Sequence, residues 1–215
     1  MRIRSFIVAY ALLLAILLFA DRRPSPAPQQ DRYSHIVDLT DGQNTPGQNQ
    51  SSHSQTRIIA PDSLIPGTWT AGQIPAERLI APLVVMDLNV APPAQISLDD
   101  ITVWETKHGA VPQGAVIAIR QPSSQAQPSG RLPITTDAAQ FLMDARYSIG
   151  FAVDSTPDLT TDRTLARQLA LHGNYVVEGT ASMTTLPATG SLIIVAPAKD
   201  KKLQPAPVRV LAMVR

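Results

Sequence analysis

Apolar residues fall along the chain in runs whose length and rhythm predict the elements. Leu79–Val90 ("LIAPLVVMDLNV") holds an unbroken apolar stretch ending at Asp87, the mark of a strand buried on both faces. Ser97–Gly109 ("SLDDITVWETKHG") reads as a helix with both ends marked. Ser97 caps the first turn, Asp99 and Asp100 suit its positive end, and Gly109 supplies a left-handed stop. Pro112–Arg120 is a turn and a strand, Thr136–Tyr147 a helix, and Ile149–Ser155 a strand. Thr160–Gly173 is a further helix, with Leu165 and Leu169 on one face and Gly173 at its end. "NYVVEG", "GSLIIVAPA" and "APVRVLAMV" complete the chain as three strands, and "SHIVDLTD" (Ser34–Asp41) supplies a short early one. Strands alternating with helices predict one α/β domain over residues 36–215, a mixed β-sheet with flanking helices. Its expected core includes Val84, Val85, Val116, Ile117, Ile193, Ile194 and Val210.

Composition narrows the function classes. Eighteen Lys and Arg against 17 Asp and Glu leave a net charge of +1, with no basic stripe and no aromatic interleaving. That balance gives no footprint for nucleic acid. Nineteen prolines and 11 glycines indicate many turns, while 44% hydrophobic residues are too many for a disordered chain. Ahead of the domain, Arg2 and Arg4 precede an uncharged apolar segment, Ser5–Ala20, which Asp21, Arg22 and Arg23 end. A membrane span needs ~20 residues, so this shorter run reads as a signal peptide, or as an anchor if retained. Residues 21–35, with "PSPAPQQD" (Pro24–Asp31), form a Pro-rich tether. The expected location is outside the cytoplasm, with membrane contact only through the N-terminal segment. The absence of cysteine means that disulfides do not hold the fold.

The stretch "HSQTRIIAP" (His53–Pro61) has the cadence of a metal-binding loop. Together with "LIPGTWTAGQIPAERLIAPLVVMDLNV" (Leu64–Val90), "ISLDDITVWETKHGAVPQGAVIAIR" (Ile96–Arg120) and "VVEGTASMTTLPATGSLIIVAPAKD" (Val176–Asp200), it resembles the cyclase family of metal-dependent hydrolases. That family includes bacterial kynurenine formamidases, which are arylformamidases, and isatin hydrolases. The resemblance runs from about Ile36 to Val214. It implies hydrolysis of an amide C–N bond in a formamide or cyclic amide, with zinc or manganese in the site, and association of the chain as a homo-oligomer. In the family a His-x-Gly-Thr-His-x-Asp-Ala-Pro loop, a later His-Arg pair and a Glu surround the metal. Such ligands suit a divalent ion whose bound water is made acidic enough to attack a carbonyl.

Against that pattern His53, Thr56, Ala60 and Pro61 match, as does Glu178 downstream. Arg57 stands where the second His belongs, Ile59 where the Asp belongs, and Asp162-Arg163 where His-Arg belongs. By resemblance the vestigial metal residues are therefore His53, Asp162 and Glu178, and Arg57, Trp69 and Arg163 are pocket candidates. A guanidinium has no lone pair to offer a metal. At ~5 Å from a divalent ion, with an effective dielectric of ~20, it adds repulsion on the order of 6 kcal/mol. Hydrolysis is accordingly expected to be weak or lost, and no catalytic residue is assigned. The alternative expectation is a non-catalytic binding or assembly protein, with Arg57 and Arg163 holding a small anion. Each residue also has a plainer reading: Asp162 as a charge favoured by a helix start, Trp69 as a packed anchor, Glu178 as half of an ion pair with Arg57 or Arg163.

Overall fold

The computed structural model describes residues 33–41, 56–88, 95–121, 130–199 and 205–215, all within one compact unit, Tyr33–Arg215. In chain order its strands and helices are β1 (His35–Asp38), β2 (Arg57–Ile59), α1 (Pro61–Leu64), β3 (Ile80–Asp87), α2 (Leu98–His108) and β4 (Val116–Arg120). There follow α3 (Thr136–Ala145), β5 (Gly150–Val153), α4 (Arg163–Leu171), β6 (Tyr175–Glu178), β7 (Ser191–Pro197) and β8 (Ala206–Val214). The N-terminal segment and residues 21–32 of the expected tether lie outside the described residues, whereas its last three residues belong to the domain, His35 as the first residue of β1. Among the described residues no helix is long and apolar enough to cross a membrane.

Strands β3, β4, β5 and β6 lie side by side and parallel, each joined to the next through one of α2, α3 and α4. β7 pairs antiparallel with β3, and β8 antiparallel with β7. The short β2 then pairs antiparallel with β8 on one side and β6 on the other, so seven strands form a closed ring. β1 sits outside the ring on β8. This corrects the expectation of a sheet flanked by helices. The sheet is barrel-like, and the helices line only part of its outside.

Alternation along each strand explains the two apolar layers. Val85, Val116, Ala118, Ala152, Tyr175, Val177, Ile193 and Val210 point inward and fill the ring. Their neighbours Val84, Ile117, Phe151 and Val176 point outward and pack under the helices, against Ile101, Leu142, Leu165 and Leu169. The unbroken run of β3 is thus buried on both faces, as its composition requires. Ile194 is the exception among the expected core residues. It is only half-buried, on the outer face of β7, where none of the described helices lies.

The helix ends follow the sequence. The Ser97 hydroxyl accepts from the Asp100 N–H at 3.2 Å and the Asp100 carboxylate accepts from the Ser97 N–H at 2.9 Å, a reciprocal cap. Gly109 stops α2 at φ 84°. The tightest fit in the ring is at the start of β5 and β6. A Cβ on Gly150 would lie 2.7–3.0 Å from three ring carbons of Tyr175, which is fully buried and donates from its hydroxyl to the Arg78 carbonyl at 2.9 Å. Gly150→Ala should therefore force the ring to move and cost about 1–3 kcal/mol. Urea unfolding of the variant should show a lower midpoint, and an unchanged midpoint would mean that the ring has room to yield.

Candidate functional site

The stretch that resembles a metal loop ends in a strand. Thr56 is buried, and its hydroxyl donates to the Gly179 carbonyl at 2.7 Å while accepting from the Asp41 N–H at 2.7 Å. One side chain thus joins the end of β6 to the residues after β1, just where β2 begins. Within β2, Ile58 belongs to the interior core, so alternation turns Arg57 and Ile59 outward. The register sets Arg57 directly opposite Glu178 of β6 and Pro207 of β8. Glu178 is also outward-facing, since Val177 fills the interior, and is only 7% exposed. Arg57 is partly buried, and its Nε is enclosed with no acceptor among the described residues.

The remaining expected residues spread around this pair. His53 lies outside the described residues. Asp162 is the N-cap of α4: its carboxylate accepts from the Leu165 N–H at 3.0 Å and from the Thr136 hydroxyl at 3.1 Å, tying α4 to α3. The Leu165 N–H is also the main reason that its pKa lies below the ordinary aspartate value. Arg163 follows as the exposed first residue of α4. Both sit at the end of the ring where β5 finishes, the same end as Glu178.

Trp69 belongs to the opposite end. A Cβ on Gly173, just before β6, would come within 2.8 Å of the Trp69 ring. The Arg78 guanidinium lies 5.6 Å from that ring's centre and donates to the carbonyls of His172 and Gly173 at 3.3 and 3.1 Å. Trp69 therefore packs at the amino end of β6, with Arg78 serving the carbonyl end of α4. Glu178 is at the carboxyl end, about 10 Å away at ~3.3 Å per residue. Arg57 and Glu178 are brought together; Trp69 is not placed with them.

Three residues at the carboxyl rim were not singled out from the sequence. Asp87 ends β3 and Arg120 ends β4, opposite each other in register. The guanidinium grips both carboxylate oxygens and donates to the Met183 carbonyl at 2.8 Å, fastening the turn Met183–Thr185 to the rim. Asp154 directly follows β5. The Gln121 N–H donates to one of its oxygens at 3.3 Å, the other is enclosed without a donor among the described residues, and burial pushes its pKa up. The available signal was positional: each is the first polar residue after an apolar strand.

A divalent metal does not fit the donors described. No group of three or more His, Cys, Asp or Glu among the described residues is placed to share an ion, and the side chain facing Glu178 is a guanidinium.

The described residues form an α/β ring with charged residues at the carboxyl ends of its parallel strands, and comparison with known proteins gives the family. Residues 21–158, more than half of the chain, match the family described as Putative cyclase, and the chain belongs to that family. The isatin hydrolase of Roseibium aggregatum is 25% identical over 193 residues, covering 75% of this chain and 72% of that protein. Among solved structures, isatin hydrolase A from Labrenzia aggregata bound to benzyl benzoate superposes with a TM-score of 0.65 at 22% identity, covering 96% of this chain and 99% of that one. An isatin hydrolase bound to the product analogue thioisatinate gives 0.65 at 20% identity, covering 96% and 98%. A potential metal-dependent hydrolase with cyclase activity gives 0.63 at 23% identity, covering 84% and 98%. These structures establish a shared fold.

The two aspartates make opposite predictions. The folded pKa of Asp154 is raised above the ordinary 3.8, so the stability it allows is full below that value and is lost as pH rises through the folded one. Asp154→Asn should gain on the parent protein as pH rises above the ordinary aspartate value of 3.8. The folded pKa of Asp162 is lowered, so its contribution is present above 3.8 and fades as pH falls through the folded value. Asp162→Ala should cost about 0.5–2 kcal/mol at pH 7, the worth of an N-cap, and less in acid. Urea unfolding at several pH values checks both, and parallel pH profiles for the two variants would contradict these placements.

Proposed function

We propose that this chain is an exported cyclase-family protein on the isatin hydrolase scaffold, in which metal-dependent hydrolysis is weak or lost and the site instead holds a small carboxylate. The observation that carries this reading is Arg57, partly buried with a donor lacking an acceptor among the described residues, set opposite the buried Glu178. An enclosed donor left unpaired costs about 1–3 kcal/mol, and an anionic oxygen is the acceptor that relieves it best. Hydrolysing a cyclic amide opens the ring and leaves a carboxylate. A scaffold that once released such a product, given a fixed positive charge beside its site, becomes complementary to the product. Glu178 limits the ligand to a single negative charge, because its own carboxylate repels a second. Export rests on the basic start and apolar run of the N-terminal segment.

The test uses the full chain, with thioisatinate as probe. The purified protein should carry far less than one zinc or manganese per chain and should not turn over isatin or N-formylkynurenine. Thioisatinate at ~100 times its Kd adds ~2.7 kcal/mol and should raise the melting temperature by about 5–10 °C. Arg57→Gln should abolish that rise. One firmly held metal per chain together with isatin turnover would overturn the proposal, as would an equal rise in Arg57→Gln.

A further inference from the structure

Beneath the seam between α3 and α4, at the end of the ring away from Arg57 and Glu178, the fold encloses several polar atoms. Asn174 directly precedes β6 and is fully buried. Tyr175 fills the ring and Val176 packs under the helices, so alternation turns Asn174 outward as well, under the helices. Its backbone N–H donates to the Leu169 carbonyl of α4 at 2.8 Å, which pins the residue there. Neither the nitrogen nor the oxygen of its side-chain amide meets a partner among the described residues. Ser148 lies nearby. Gly150 of β5 faces Tyr175 of β6, and carrying that register back one residue sets Asn174 against Ile149, the chain neighbour of Ser148. Ser148 is buried, and its N–H donates to the Leu142 carbonyl of α3 at 3.0 Å. Its hydroxyl has no partner among the described residues either. A further enclosed atom in the same condition, Oε1 of Gln168, belongs to the α4 residue just before Leu169. Polar side chains bridge the seam itself: Gln168 donates to the Gln140 amide oxygen at 3.2 Å, and His172 Nε2 lies 2.9 Å from the Asp144 carboxylate.

An enclosed amide without partners forfeits the hydrogen bonds it makes with water in the unfolded chain, and native folds rarely leave both ends of one side chain in that state. The kinds of group left over indicate what satisfies them. A cation would suit the oxygens of Asn174, Ser148 and Gln168 but not the Asn174 NH₂ group. An anion would suit the NH₂ and the hydroxyl but not the two amide oxygens. Only a neutral molecule that both donates and accepts serves the whole set. The smallest is water, which in a protein interior takes roughly two to four polar partners. We propose that Asn174 and Ser148 hold an ordered internal water site beneath α3 and α4. The water bonds to the Asn174 amide and accepts from the Ser148 hydroxyl, with Gln168 Oε1 as a further acceptor at the seam. It fastens the amino ends of β5 and β6 to the two helices that cover them, where the chain's own side chains leave the bonds unmade. The proposal is independent of what binds beside Arg57.

The sign of a small substitution separates a hydrated site from a dry one. In a dry site Ser148→Ala removes a hydroxyl that bonds to nothing, and the urea midpoint of the full chain should rise. In a hydrated site it takes a partner from the water, and the midpoint should fall by about 0.5 M. Asn174→Leu should lower it further, and the double variant should lose less than the sum of the two, because both act through one water. A crystal structure of the full chain should show ordered solvent density at about 2.7–3.2 Å from the Asn174 amide. Crystals soaked in rubidium chloride should give no anomalous peak there. If Asn174→Leu fails to fold, Ser148→Ala and the parent crystal still decide. An unchanged or raised midpoint in Ser148→Ala, additive losses in a folded double variant, no density beside Asn174, or a rubidium peak would each overturn the proposal.

Discussion

The architecture depends on three residues, Arg57, Ile58 and Ile59, which pair on both sides and turn an open sheet into a ring. Without β2, the edge of β6 and the first residues of β8, Ala206 and Pro207, would lose their pairing, a standing invitation to wrong partners. So short a strand holds its place because its side chains and flanks are also committed. Ile58 is fully buried in the ring, and the Thr56 hydroxyl bonds to both the β6 end and the segment after β1. α1 follows at once and packs against α4, anchoring the far side. Closure then dictates the chemistry. With Ile58 inside, residues 57 and 59 face outward, and residue 57 meets Glu178 whatever side chain it bears.

The carboxyl rim of the parallel strands carries two cation–carboxylate arrangements of different character. At Arg120 all three nitrogens donate, two to Asp87 and one to the Met183 and Leu186 carbonyls, so this guanidinium is a fastener. At Arg57 the strand register supplies a carboxylate opposite but leaves Nε without an acceptor among the described residues. Rims of this kind are where α/β sheets place their ligands, because helix starts and strand ends converge there. Of the two arginines, the one whose enclosed Nε meets no acceptor among the described residues is the one suited to recognition. Asp154, enclosed on the same rim, adds a carboxyl that resists ionisation.

Much of the fold was readable from run type. Unbroken apolar stretches in β3 and β4 required cover on two sides, and both have it, from the interior and from the helices. The caps of α2 were readable because Ser97, Asp100 and Gly109 act within their own turn. Closure was not readable, since β2 is three residues long and its partners lie more than a hundred residues away; no period can be seen in so short a strand. Ile194 was misplaced for a related reason. "SLIIVAP" looks unbroken, yet its partner β8, "APVRVLAMV", alternates, and a partner's exposed face is shared. In the candidate site, Glu178 and Arg57 were found through resemblance alone. The cap made by Asp162 could be anticipated from its position, whereas the distance of Trp69 from Glu178 depends on Gly173, whose missing side chain makes room for the ring.

A ring of seven strands leaves little space inside, and this one is filled by its own side chains. Small residues such as Ala81, Ala118, Ala152 and Ala212 alternate with larger ones, and Tyr175 occupies the room that Gly150 vacates. Met183 and Leu186, from the turn that Arg120 fastens, also belong to this interior. The barrel is therefore a core, and ligand or partner chemistry is confined to its rim and outer surface. On that surface the helices divide the territory. Where they cover the strands, the outward positions are sealed and only the strand ends remain for charge. Where none of the described helices lies, the same alternation that packs the interior turns Ile36, Leu192 and Ile80 outward. Both features come from a single arrangement: a closed sheet with helices on one half has a charged rim at its strand ends and a bare apolar face at its back.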